Sequence, residues 1–185
     1  MRSQKIAPVC LALIVTACGP TPEGEEMLQA PPQEEATELG TAVISDAQGE
    51  LVAQATLGER GGSLFLSVEA SKLPGGSHGF HLHAIGQCEA PEFKSAGGHL
   101  NPDARQHGSD NPAGKHFGDL PNLVGDDAGN ARMEVELSGD AQGSLGALFD
   151  ADGTAVVIHA DADDYATDPT GNAGSRIACG VLSKM

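Results

Sequence analysis

Seven histidines are present, at His78, His81, His83, His99, His107, His116 and His159, and their spacing is the most informative feature of the chain. In Gly79-Phe80-His81-Leu82-His83, two imidazoles lie two residues apart. On a strand they leave one face together while Phe80 and Leu82 enter the core, which makes them a chelating pair. Alone, such a pair is equally at home on an ordinary surface strand. His99, His107 and His116 fall in a stretch with no strand pattern, and Asp119 follows His116 by three residues. Three imidazoles and a carboxylate are a full ligand set for tetrahedral zinc. A polar loop merely rich in histidine leaves unexplained how so long a segment is ordered, whereas a closed metal site orders it directly. His159 ends the apolar run Ala155-Val156-Val157-Ile158, where the ordinary occupant is a core histidine satisfied by backbone. Asp161, Asp163 and Asp164 beside it offer carboxylates that can orient an imidazole.

These residues need a scaffold, and the apolar pattern supplies one of period two. Leu64, Leu66 and Val68 alternate with Phe65, Ser67 and Glu69, and Met133, Val135 and Leu137 alternate with Arg132, Glu134 and Glu136. Both segments read as half-buried antiparallel strands. Residues 41–45, 51–57, 77–83, 154–159 and 177–182 are further strand candidates, with turn signals at Asp46-Ala47-Gln48-Gly49 and Asp150-Ala151-Asp152-Gly153. No long amphipathic helix is visible. With 25 glycines and 3% aromatic residues among 185, the expectation is an all-β fold, a Greek-key β-sandwich or barrel. The stretch from Cys88 to about residue 127 is too long for an idle loop inside a compact domain. Ten Lys and Arg against 26 Asp and Glu give a net charge of −16, which argues against a nucleic-acid partner.

The N-terminus sets the expected compartment. Arg2 and Lys5 precede an apolar run, residues 6–17, that is too short to span a bilayer, as in an export signal. Val15-Thr16-Ala17-Cys18 resembles a bacterial lipobox, which makes residues 1–17 a lipoprotein signal peptide and Cys18 the lipidated first residue. Residues 18–38, acidic and rich in proline, read as a tether, and residues 39–185 as the folded domain. The expectation is an exported lipoprotein anchored to a membrane, in the periplasm or at the cell surface. Cys88 and Cys179 remain. Two such cysteines in an exported protein usually form one disulfide; the competing reading is a pair of soft metal ligands, although no C-x-x-C accompanies them.

GFHLH (79–83), SAGGHLNP (95–102), the pair His107-Gly108, HFGDLPN (116–122), IHADADD (158–164) and TGNAGSRIACG (170–180) together resemble the copper, zinc superoxide dismutase family. The resemblance covers about residues 39–181. It implies one copper per subunit on His81, His83, His99 and His159, and one zinc on His99, His107, His116 and Asp119, with His99 bridging the two as an imidazolate. It further implies that Asp163 links a copper histidine to a zinc histidine, that Cys88 and Cys179 form a disulfide, and that His78 is structural. The implied activity is dismutation of two superoxide anions to oxygen and hydrogen peroxide at a histidine-ligated copper held in place by zinc. Arg176 and His99 are the implied catalytic residues, the first guiding superoxide and the second serving as a proton source. A homodimer is compatible with the resemblance, but no interface is carried over.

Residues 165–169 look shorter than the charged guiding loop of many animal and plant members and contain no lysine. Steering of an anion to so acidic a chain then falls to local charges: Arg176, the metals, and Lys94, Arg105 or Lys115. The rival function is a non-catalytic copper- and zinc-binding lipoprotein of the same fold, a metal buffer or chaperone. A hydrolase is disfavoured because Gln142-Gly143-Ser144-Leu145-Gly146 lacks the first glycine of G-x-S-x-G, and Gly114-Lys115 lacks the rest of a phosphate loop.

Overall fold

A computed structural model describes residues 36–185. The expected signal, Cys18 and most of the expected tether lie outside the described residues. Within them the chain forms β1 (Thr37–Asp46), β2 (Leu51–Arg60), β3 (Ser63–Ala70), β4 (Gly76–His78), β5 (Phe80–His83), β6 (Leu123–Gly125), β7 (Ala131–Glu136), α1 (Ala141–Leu148), β8 (Ala155–His159), β9 (Arg176–Val181) and β10 (Ser183–Lys184). The main antiparallel sheet runs β5-β8-β9-β1-β2-β3-β7, with β10 also on β1, while β4 and β6 pair separately. The meander β1-β2-β3 thus returns through β8 and β9 to the other side of β1, a Greek-key path curled into a half-barrel. No described helix is long and apolar enough to cross a membrane.

Local chemistry accounts for the punctuation. Asp46 Oδ1 accepts the backbone N–H groups of Gln48 and Glu50, both at 2.9 Å, and turns β1 into β2. Asp150 does the same for Asp152 and Gly153 just before β8. Three details differ from the sequence reading. β1 starts at Thr37, inside the stretch read as tether, because Thr37 and Glu38 pair with Glu59 and Gly58. The single strand expected over residues 77–83 is two, in different sheets, broken at Gly79. There the backbone accepts from His159 N–H and donates to Asp161 O, both at 2.8 Å. A Cβ at Gly79 would come within 2.7 Å of the Ala173 Cβ, so only glycine lets the two chains approach so closely. Finally, the long loop after Cys88 contains β6, whose partner β4 lies far away in sequence.

The main core gathers Ile44, Leu57, Leu64, Leu66, Val68, Phe80, Leu82, Leu148 and Ile158, among others. The run Ala155-Val156-Val157-Ile158 is apolar throughout because β8 is buried on both faces. Val156 and Ile158 enter the main core, whereas Ala155 and Val157 join Phe93, Ala96 and Cys179 in a second cluster. That second cluster sits with the disulfide Cys88–Cys179, which spans a sequence separation of 91. Closing so long a loop contributes about 4–5 kcal/mol in the chain-entropy account. Urea unfolding of metal-free protein should show a loss of that order on reduction or in Cys88→Ser; an unchanged midpoint would contradict it.

Candidate metal centre

β5 ends the sheet path, and the long loop covers its free edge in two passes. Leu82 N–H donates to Gly118 O at 2.9 Å, Leu100 N–H to Leu82 O at 2.8 Å, and Ala84 N–H to Gly98 O at 2.9 Å. These bonds close an otherwise open edge. They also set His99 opposite His83 and Asp119 opposite His81. Phe80 and Leu82 point into the core, and His81 and His83 occupy the other face, fully buried. Next along the sheet, β8 delivers His159.

The fold therefore brings together two groups of ligand atoms, each within 4.8 Å of one another: His81, His83, His99 and His159, and His99, His107, His116 and Asp119. Every member is buried, and His99 belongs to both. Hydrogen bonds decide which nitrogen each ring has free. His81 Nε2 donates to Asp163 Oδ2 at 2.7 Å, leaving Nδ1. His83 Nδ1 donates to Gly97 O at 3.0 Å, leaving Nε2, which lies 3.4 Å from His159 Nε2. In the second group, Nδ1 of His99, His107 and His116 all face one atom, Asp119 Oδ1, at 2.9, 3.0 and 3.2 Å. His107 Nε2 donates to Asp163 Oδ1 at 3.0 Å, so the Asp163 carboxylate ties one ring of each group to the other. His78 stands apart, with its ring nitrogens 2.9 Å from His159 O and Pro74 O.

This donor set fits two metal ions. His81 Nδ1 and His99 Nε2 are buried without any hydrogen-bond partner, which is costly for a polar atom unless a cation takes the lone pair. A single carboxylate oxygen faced by three imidazole nitrogens also calls for positive charge between them. Four nitrogens suit copper, and three nitrogens with one carboxylate oxygen suit tetrahedral zinc.

The other sequence-derived candidates are placed as follows. Of the acidic residues near His159, Asp163 alone reaches the histidines; Asp161 is exposed and Asp164 caps its own turn. Arg176 Nη1 and Nη2 donate to Phe93 O at 2.6 Å and Gly97 O at 2.5 Å, so carbonyls of the disulfide-tied loop hold the guanidinium without neutralising it. With Lys94, Ser175 and Glu92 it lines a cleft of about 400 Å³. Lys94 is paired to Glu92 at 3.0 Å and Arg105 to Asp103 at 3.8 Å, while Lys115 donates to Asp119 O at 3.1 Å. Lys94 and Arg105 are thus each paired with an exposed carboxylate, and Lys115 leans on the backbone of a residue of the second ligand group. Sequence reasoning gave Asn122 no role. Its side chain accepts from Asp163 N–H at 2.8 Å and donates to Asp163 O at 2.9 Å, gripping that residue from both sides. Only its place at the end of HFGDLPN could have flagged it.

Burial dominates the electrostatics. It pushes the His83 pKa down to about 2 and His159 to about 3, helped by charge on His99 and His81 respectively. His99 falls to about 4 through burial, opposed by its bond to Asp119. Burial would raise the Asp119 carboxyl, but bonds from His99 and from the Gly108 and His116 N–H groups hold it well below the usual carboxylate range. Asp163 is likewise lowered, against burial, by His81, His107 and the Tyr165 N–H.

The family follows from comparison with known proteins. The chain matches the family profile described as copper/zinc superoxide dismutase over residues 47–182. It is 46% identical over 151 residues to superoxide dismutase [Cu-Zn] 1 of Aquifex aeolicus, covering 80% of this chain and 89% of that one. To superoxide dismutase [Cu-Zn] of Caulobacter vibrioides it is 40% identical over 146 residues, covering 77% and 84%. Among solved structures, a SOD-like protein from Bacillus subtilis superposes with a TM-score of 0.72 at 38% identity, covering 78% of this chain and 99% of that one. The chain belongs to the copper/zinc superoxide dismutase family.

The lowered histidines set a pH dependence for metal-free protein. Unfolded imidazoles take up protons below about pH 6.5, whereas folded His99, His159 and His83 resist until about 4, 3 and 2. Unfolding then absorbs protons, so stability is fully present above that pH and falls as pH drops, by about 1.4 kcal/mol per proton per pH unit. Urea midpoints measured from pH 8 to 4 should decline monotonically below pH 6.5, and a flat profile would contradict the burial.

Proposed function

We propose that this chain is a superoxide dismutase in which His81, His83, His99 and His159 hold copper and His99, His107, His116 and Asp119 hold zinc. The observation that carries this reading is His99, whose Nδ1 lies 2.9 Å from Asp119 while its buried Nε2 has no partner. One imidazole thereby serves both groups. When bound, copper would supply reversible one-electron exchange, and redox-inert zinc a fixed positive charge.

The chain's own residues supply the rest. Asp163 holds His81 and His107 in the tautomer that leaves Nδ1 free, and Asn122 and the Tyr165 N–H hold Asp163. Arg176 has five N–H donors, of which two are engaged by carbonyls, so the others remain for an anion in the cleft. It shares the Gly97 carbonyl oxygen with His83 Nδ1, which sets it next to the first group. With a net charge of −16 on the chain, that local cation is the attraction an incoming superoxide meets. His99 is the ring placed to carry a proton at Nε2 whenever that atom is not a ligand.

We also place the chain outside the cytoplasm on a lipid at Cys18. Support comes from the lipobox-like residues 15–18 and from the Cys88–Cys179 disulfide, which persists in oxidising compartments. Cys18→Ser should move the protein from the membrane to the soluble fraction, and unchanged partition would refute the anchor.

The reading is tested with full-length protein carrying one copper and one zinc, against zinc-only protein. Fast copper-dependent dismutation is expected. Tight binding of both metals without turnover would instead make the chain a metal buffer. Arg176→Ala should lower the rate roughly tenfold and flatten its salt dependence, while Asp119→Ala should weaken mainly zinc and His99→Ala both metals. An unchanged salt profile in Arg176→Ala would remove the guiding role.

A further inference from the structure

The short segment after Asp163 carries no lysine, and its one aromatic residue, Tyr165, is the only tyrosine of a chain without tryptophan. Its contacts run inward. Tyr165 N–H donates to Asp163 Oδ1 at 2.7 Å, its hydroxyl oxygen accepts Asn122 N–H at 2.9 Å, and its carbonyl accepts Asp110 N–H at 3.0 Å. Three residues on, Asp168 Oδ1 accepts the N–H of His107 at 2.6 Å. One residue thus joins three places that are distant in sequence: the carboxylate shared by the two groups, the residue that grips it, and the loop that carries His107 and His116.

The same segment is stiff in itself. The Asp164 carboxylate takes the Thr167 hydroxyl at 2.6 Å, the N–H groups of Thr167 and Ala166 at 2.8 and 3.0 Å, and Asn172 Nδ2 at 2.9 Å. Tyr165 adopts a left-handed backbone, φ 62°, a region few tyrosines occupy, so its surroundings fix it there. Its carbonyl lies directly over Gly108, where a Cβ would collide with it. Gly108 N–H in turn donates to Asp119 Oδ2 at 2.9 Å. Tyr165 and the second ligand group therefore pack through backbone with no side chain between them.

We propose that Tyr165 is a positioning residue of the metal centre, the latch by which this short loop locks Asp163 and the His107–His116 loop to each other. The proposal rests on the reading of the second group as a zinc site. Where a longer loop can carry guiding charges, this one trades them for rigidity: it fixes the carboxylate that orients His81 and His107, so the zinc ligands stay aimed when zinc leaves. Removing the hydroxyl frees Asn122 N–H and loosens Asp163 without touching any ligand.

The test uses full-length, metal-free protein and zinc alone. Because Tyr165 is the sole tyrosine and tryptophan is absent, near-ultraviolet-excited emission reports on this residue by itself, and, with the latch closed in the presence or absence of metal, it should stay the same as zinc is added to one equivalent. Tyr165→Phe should then release zinc to a chelator about three- to tenfold faster, the range expected for one hydrogen bond. Asn122→Ala should release it about ten- to a hundredfold faster, as for loss of a ligand-orienting partner. Cobalt(II) in place of zinc should show a shifted visible spectrum in Tyr165→Phe. Failure of wild-type protein to take up zinc would sink the reading of the group itself. If wild type binds zinc but its tyrosine emission shifts when the zinc is removed, or Tyr165→Phe releases zinc at the wild-type rate, the latch is overturned and the group stands. The latch is equally overturned if zinc loss merely tracks lowered unfolding stability with an unshifted cobalt spectrum.

Discussion

Two buried carboxylates hold this molecule's polar interior together. His81, His83, His99, His107, His116 and His159 are all nearly excluded from water, and so dense a group of imidazoles is tolerable only if each ring has a reason for its orientation. Asp163 and Asp119 supply it. Asp163 takes one N–H from a ring of each ligand group, and Asp119 turns three Nδ1 atoms toward one oxygen. What is left over, the unpartnered His81 Nδ1 and His99 Nε2, is the shape of the missing positive charge. Everything else in the fold can be seen as fixing those two carboxylates and their rings.

The sheet does this from one side and the loops from the other. β5 and β8 deliver three imidazoles on a rigid, doubly buried surface, and the loop passes that close the β5 edge deliver His99 and Asp119. The disulfide anchors the loop whose carbonyls hold Arg176. Stability and the placement of the Arg176 cation are therefore coupled. The residues that close an exposed strand edge also build the two ligand groups, and the loop tied by the disulfide also holds the cation. In an acidic chain that coupling matters, because Lys94 and Arg105 are each paired with a carboxylate, whereas Arg176 is held by backbone carbonyls alone.

Legibility in the sequence followed the range of the interactions. β3 and β7 announced themselves by strict alternation, and His81 and His83 by sharing one face of a strand that hides Phe80 and Leu82. β4 and β6 are three residues each and paired across more than forty positions, so neither has a local pattern. α1 was equally silent: it contains Gly143 and Gly146, and its Asp140 cap bonds Gly143 N–H at 2.8 Å without any amphipathic period to announce it. The candidate ligands were readable because histidine is chemically conspicuous: the loop set of three imidazoles and Asp119 was legible from its residues, whereas the four-histidine set and its sharing of His99 came from resemblance to a family. The Asn122 grip and the Tyr165 latch were not readable, since a side chain bonded to backbone forty-one residues away leaves no spacing to detect.

The central claim is that one imidazole, His99, joins the two groups. It is tested by placing copper(II) in the four-nitrogen group and cobalt(II) in the group containing Asp119, then recording the copper paramagnetic resonance. A shared imidazole couples the two spins, so the copper signal present beside zinc should collapse when cobalt replaces zinc. A copper signal that is the same with either neighbour would show that the metals do not share His99, and the account would fail at its centre.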